Sequence, residues 1–184
     1  VAERNLTLGE QYHPGGFQVS GSSLWVPVAE NRPHSTARIL ELDAATLAPR
    51  SSFTVADHIG AVATDGSGVV LGANWDSRRI YRWTPSGELL GVTNFPAPLA
   101  IQDMKWMGGV LYAGGTGLGK EQGRCELAEL DPATLAVRRR STLVSNICYT
   151  REGMAVFDGR FFFLPEDGPR SRIYALDGDS LLGP

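Results

Sequence analysis

A short unit recurs four times along the 184-residue chain, and few folds accommodate such a repeat. Each copy opens with polar residues and a glycine. A short apolar strand, a tight glycine turn and two further strands follow, then a turn rich in Asp, Pro and Thr. The openings are His13-Pro14-Gly15-Gly16, His58-Ile59-Gly60, Ile101-Gln102-Asp103 and Arg151-Glu152-Gly153. They lie about 43 to 50 residues apart, the length of one four-stranded blade. Asp65-Gly66, Gly108-Gly109 and Asp158-Gly159 supply the positive φ that two-residue hairpin turns require. The turn Asp43-Ala44-Ala45-Thr46-Leu47 nearly repeats as Asp131-Pro132-Ala133-Thr134-Leu135. No apolar spacing of 3.6 is sustained, so no long helix is expected. The pattern predicts an all-β fold, a β-propeller of four-stranded antiparallel blades near residues 13–55, 58–94, 101–144 and 151–177, in one domain.

The fourth unit lacks a last strand, whereas Arg4 to Leu8 reads as a last strand with no unit before it. Four blades closed by that N-terminal strand would leave no unpaired edge. The alternative is that these blades are a portion of a larger, six-bladed ring.

The formal net charge of −3 and the absence of a concentrated basic face argue against a nucleic-acid partner. The one basic cluster, Arg138-Arg139-Arg140, reads as a solvated outer strand. No apolar run approaches the ~18 residues that span a bilayer, so no membrane partner is expected. Cys125 and Cys148 are too few for a disulfide framework and leave open whether they pair. The first residue is Val, so the chain reads as processed, trimmed or a fragment. The expectation is a soluble protein, secreted if a leader has been removed.

Antiparallel blades place strand A openings and B–C loops at one end, where functional loops commonly cluster. That end gathers His13, His58, Gln102, Asp103, Arg151 and Glu152, with Asn74, Trp75, Asp76 and Glu166 from the loops. The openings align in columns, with His58 beside Ile101, Ile59 beside Gln102, and Gly60 beside Asp103. Three chemistries fit. Glu152, Asp103 and Asn74 offer hard oxygen ligands for Ca²⁺ or another divalent metal, which could polarise an ester or lactone. His13 and His58 suit a general base or a transition-metal ligand, and with Glu152 they form the catalytic candidates. The third reading is a non-catalytic scaffold that binds a small molecule or protein partner. Asn74, Trp75, Asp76, Gln102, Arg151 and Glu166 are its contact candidates. Each also has an ordinary structural reading, as a turn residue or a local ion pair. No phosphate loop, zinc motif or nucleophile elbow is present.

The Arg151-Glu152-Gly153-Met154 opening resembles the Glu-Gly inner-strand start of the calcium-dependent gluconolactonase, senescence marker protein and strictosidine synthase-like propellers. That resemblance implies Glu152 as a metal ligand, with Asn74 and Asp103 assigned by position. A second likeness is to an uncharacterised family of bacterial and fungal proteins of unknown function. It is carried by His13-Pro14-Gly15-Gly16, Leu24-Trp25-Val26-Pro27-Val28-Ala29-Glu30, Asp57-His58-Ile59-Gly60, Arg151-Glu152-Gly153-Met154 and Phe163-Leu164-Pro165-Glu166-Asp167-Gly168. That family implies no activity. Its members are longer, which favours the larger ring.

Overall fold

The computed structural model describes residues 1–143, 145–165 and 171–182. The chain is all-β and of the β-propeller class, with four antiparallel sheets as its blades. It divides into two compact units, Val1–Phe95 and Pro96–Pro184, each carrying two sheets. Among the described residues no helix is long and apolar enough to cross a membrane.

In the first unit, β1 (His13–Pro14) and β2 (Gln18–Ser20) both pair with β3 (Ser23–Ala29). β4 (Ala37–Asp43) and β5 (Pro49–Val55) complete that sheet. β6 (Ile59–Ala63), β7 (Val70–Asn74), β8 (Arg79–Trp83) and β9 (Leu89–Asn94) form the second. Successive side chains of a strand point to opposite faces. Ile39 therefore joins Trp25, Val55, Ile59, Val62 and Trp83 in the unit's main core. Leu40 and Leu42 join Val26, Val28 and Leu6 on the other side of β4. Gly72 makes room for the Trp83 indole, whose ring carbon would lie 2.5 Å from a Cβ there. The inner strands of the two sheets run side by side. The Gly16 amide donates to the Gly60 carbonyl at 2.9 Å, and the Val62 amide to the Gly16 carbonyl at 2.9 Å. Gly15 must be glycine, since a Cβ would overlap the Gly60 carbonyl oxygen.

The second unit contains β10 (Leu99–Met107), β11 (Val110–Gly117), β12 (Cys125–Leu130) and β13 (Val137–Thr142). Its other sheet has three strands, β14 (Gly153–Phe157), β15 (Arg160–Leu164) and β16 (Tyr174–Asp177). Leu127, Met154, Phe161 and Phe163 form one cluster of the unit's core, which also buries Met104, Leu111 and Leu130. The arginine cluster lies on β13 and is an ion-pair ladder. Arg139 bonds Glu129, Arg140 bonds Glu126 and Arg138 bonds Asp131, at 2.5–2.6 Å. Cys125 and Cys148 are joined by a disulfide with Cα atoms 5.3 Å apart, which closes the question the spacing left open.

The two near-identical turns share their bonding. Asp43 Oδ1 accepts from the Ala45 and Thr46 amides, as Asp131 Oδ1 does from those of Ala133 and Thr134. Each Asp then accepts from an arginine seven residues on, Arg50 or Arg138. Leu47 and Leu135 hold left-handed φ values of 59° and 60°, closing both turns alike. The Thr46 hydroxyl and amide and the Arg50 guanidinium stabilise the charged Asp43 carboxylate and bring its pKa down to about 2.

Two sequence expectations need correction. Residues 4–8 form no strand, and Leu8 makes only an isolated bridge with Gln11. The segment is instead fastened to the first sheet by side chains. Leu6 packs against the Val26, Val28, Leu40 and Leu42 cluster, and its carbonyl accepts from Arg38 Nη2 at 2.7 Å. The column alignment slips by one in the third blade. A bulge lies between Ile59 and Ala61 in β6, and another between Ile101 and Asp103 in β10. Gly60 and Gln102 are thus the equivalent extra residues, and Asp103 corresponds to Ala61 rather than Gly60. Bulged residues have no ladder partner, so their register cannot be counted from residue spacing.

Candidate functional site

His58 sits immediately before β6 and is 4% exposed. Its Nδ1 lies 2.8 Å from the Glu30 carbonyl oxygen, so Nδ1 carries the proton and the neutral ring's acceptor is Nε2. Burial lowers its pKa below 6.5, opposed by the backbone carbonyls of Glu30 and Arg32, and the nearby His13 lowers it further. The imidazole is therefore neutral at pH 7. The ring meets Trp75 edge-on with centroids 4.7 Å apart, and the exposed His13 ring lies 6.3 Å away.

Two carboxylates fix this arrangement from behind. Glu30 accepts from the Thr36 amide at 3.0 Å, the Thr36 hydroxyl at 2.8 Å and Arg32. These bonds pin the loop whose carbonyl holds His58. Asp57 is 4% exposed. Its Oδ1 accepts from the His58 amide at 2.9 Å. Its Oδ2 accepts from Asn74 Nδ2 at 3.1 Å, the Tyr81 hydroxyl at 2.8 Å and Arg79 Nη2 at 3.0 Å. Burial and the bond to Asp57 push the Tyr81 hydroxyl up to about 12. Asn74 Oδ1 accepts from the Arg79 amide at 2.8 Å, so Asn74 clamps both ends of the 75–78 loop. In that loop Trp75–Ser77 form a 3₁₀ turn, with Asp76 exposed at φ 57° and Ser77 buried at φ 54°. The structure thus brings His13, His58, Asn74 and Trp75 together in the first unit. Asp57, Tyr81 and Arg79 were not singled out as site residues. The one sequence signal for them is the Asp57-His58 pair, an acid next to an imidazole ahead of an apolar strand.

The remaining candidates belong to the second unit, apart from Glu166, which lies outside the described residues. Gln102 is exposed. Asp103 is 3% exposed. Its Oδ1 accepts from Lys105 Nζ at 2.5 Å and from the Met104 amide at 2.8 Å. Its Oδ2 accepts from the Met154 amide at 2.7 Å, which ties β10 to β14. Burial pushes the Asp103 carboxyl up and the Lys105 amine down, and their mutual attraction opposes both shifts. Arg151 is exposed at the end of the Tyr149–Arg151 3₁₀ turn, which Thr150 anchors through its hydroxyl to the Gly115 carbonyl at 2.7 Å. Glu152 follows, half-buried. Asp103 already serves an ammonium and two amides, and Asn74 serves Asp57 and Arg79. Among the described residues no three His, Cys, Asp or Glu side chains cluster as a metal site would.

Fold and site together define a β-propeller-class protein with a paired-histidine, aromatic loop end in its first unit. The chain belongs to a family of unknown function (DUF6454), whose model matches residues 1–105. No curated protein matches the sequence. Among solved structures, glutaminyl cyclase of Myxococcus xanthus is similar, with TM-score 0.61 and 10% identity over 89% of this chain and 65% of that one. Hydrazine synthase of Kuenenia stuttgartiensis gives TM-score 0.57 and 13% identity, over 98% of this chain and 50% of that one. The WD40 domain of Toxoplasma gondii coronin gives 0.53 and 12%, over 91% and 43%. The chain spans less than two thirds of each. At these identities the likeness shows the fold alone.

Proposed function

We propose that the first unit is a binding scaffold for a small, flat ligand carrying a hydroxyl or amide donor. The observation that carries this is the neutral imidazole of His58, held by the Glu30 carbonyl with the exposed His13 ring and half-buried Trp75 beside it. Trp75 offers an apolar ring face, and His13 offers a polar partner in solvent. Asp57 and Glu30 hold the arrangement without themselves facing a ligand, as a preformed site requires. The Cys125–Cys148 bond supports an oxidising compartment for the protein. Calcium-assisted ester or lactone hydrolysis by Glu152, Asp103 and Asn74 has less support, because the Asp103 and Asn74 donors are already engaged.

Titrating phenol, benzamide and indole while following the His and Trp side-chain NMR signals tests the reading. At least one probe is expected to shift the His13 and Trp75 signals together. Trp75→Ala should weaken it about three- to tenfold, and His13→Ala should also weaken it. Shifts that persist unchanged in both variants, or no shift with any probe, would refute the site.

A further inference from the structure

Between residues 4–8 and the β4–β5 face lies a concavity of about 550 Å³, room for a ligand of sugar size. The leucines beneath it are covered. Leu40 is 8% and Leu42 2% exposed, and Leu6 packs against their cluster. What the concavity presents is therefore mostly polar, and its charges are of one sign. Arg4, Arg38 and Arg50 line it together with Thr7 and Ser52, and no acidic residue does.

The three arginines are not equivalent. Arg50 is committed to Asp43 at 2.6 Å and to the Ser22 and Ser23 hydroxyls. Arg38 is half-buried and held in one pose by neutral groups. Its Nε donates to Gln11 Oε1 at 2.9 Å and its Nη2 to the Leu6 carbonyl at 2.7 Å. Gln11 is itself oriented, because its Nε2 donates to the Thr36 hydroxyl at 2.8 Å. Among the described residues Arg38 Nη1 has no partner, and neither Arg38 nor Arg4 forms an ion pair. The carboxylates of β4 are engaged elsewhere: Glu41 accepts from the Ser23 and Ser51 hydroxyls, and Asp43 from Arg50. The concavity thus holds surplus donors, two of them cationic, and no anion to meet them. A half-buried guanidinium facing only neutral acceptors favours an anion, because partial desolvation strengthens its pull on an opposite charge.

We propose that this concavity binds a small polyol that carries an oxyanion, a sugar acid or a sugar phosphate. The oxyanion pairs with Arg38 through Nη1, assisted by Arg4. The Thr7 and Ser52 hydroxyls, on opposite walls, bond the polyol hydroxyls. The site is separate from the His58 cluster and does not depend on the function assigned there. An anion bridging Arg4 and Arg38 would fasten residues 4–8 further to the sheet, since Arg38 already bonds the Leu6 carbonyl.

The test is calorimetric titration of the full chain with four sugars that share one ring and differ in charge: glucuronate, glucose 6-phosphate, glucose and protonated glucosamine. At least one of the two anions is expected to bind and to raise the melting temperature, and the tighter of them names the head group. Glucose should bind at least about tenfold more weakly, and glucosamine should not bind. Acetate and inorganic phosphate carry the heads without the polyol, and each should bind about tenfold more weakly than its sugar. Arg38→Gln should weaken the anionic sugar about tenfold or more, the loss of a charge-assisted contact. Arg4 has no protein bond to lose, so Arg4→Gln should weaken binding several-fold while leaving the melting temperature of the free protein unchanged. Acetate or phosphate binding as tightly as its sugar would overturn the polyol assignment. No binding of either anionic sugar, glucosamine binding as well as glucuronate, or full affinity in both arginine variants would overturn the site.

Discussion

Asp103→Asn should destabilise the second unit by about 3 to 5 kcal/mol, the usual cost of breaking a buried ion pair by removing one partner. The substitution keeps the shape and removes the charge. Lys105, 8% exposed, would lose the carboxylate bonded to its ammonium at 2.5 Å. An amide oxygen is also a weaker acceptor for the Met104 and Met154 amides, so the tie between β10 and β14 would loosen. Urea unfolding followed by tryptophan fluorescence reads the effect as a lower midpoint. The double variant Asp103→Asn with Lys105→Met should recover much of the loss, because it removes the unpaired buried ammonium and keeps an acceptor oxygen for the Met104 and Met154 amides. If Asp103→Asn cost less than about 1 kcal/mol, the range of an exposed pair, the buried-pair account would be wrong.

Opening the Cys125–Cys148 bond should cost about 3 kcal/mol. The bond closes a loop of 23 residues, and that restraint is lost from the unfolded chain on reduction. Locally the bond ties the start of β12 to the segment leading into the Tyr149–Arg151 turn, which carries Arg151 and precedes Glu152. Cys148→Ser, or reductant on the native chain, should lower the urea midpoint and speed amide exchange at Thr150 and Arg151 before the β10–β13 ladder is affected. An unchanged midpoint would mean that the bond neither limits the unfolded chain nor supports the turn.

The blade repeat was legible because hairpin chemistry is local. Asp-Gly and Gly-Gly turns and the two Asp-x-x-Thr-Leu turns fix themselves through bonds within a few residues. Long-range choices were not legible. Whether residues 4–8 would enter a ladder depended on Arg38 and the Leu40 and Leu42 face, some 32 residues away. The bulges that align Gly60 with Gln102 leave no mark in residue spacing. At the site, His13, His58, Asn74 and Trp75 were identifiable by residue type and position. The role of Asp57 was not, because its partners Asn74, Arg79 and Tyr81 come from the far side of a hairpin. Asp103 shows the converse: a carboxylate suited to a metal is used to carry a buried ammonium and to join two strands.

His58 is a buried, neutral imidazole with its proton on Nδ1. A side-chain ¹⁵N NMR titration of uniformly labelled protein tests it directly, with His58 assigned by His58→Gln. The ring is expected to remain the Nδ1–H tautomer at pH 7 and to titrate below 6.5. Below that value the unfolded chain takes up the His58 proton more readily than the folded one, so this group's contribution to stability should fall as pH falls through the window between the two pKa values. An Nε2–H tautomer, or a titration at or above 6.5, would contradict the account.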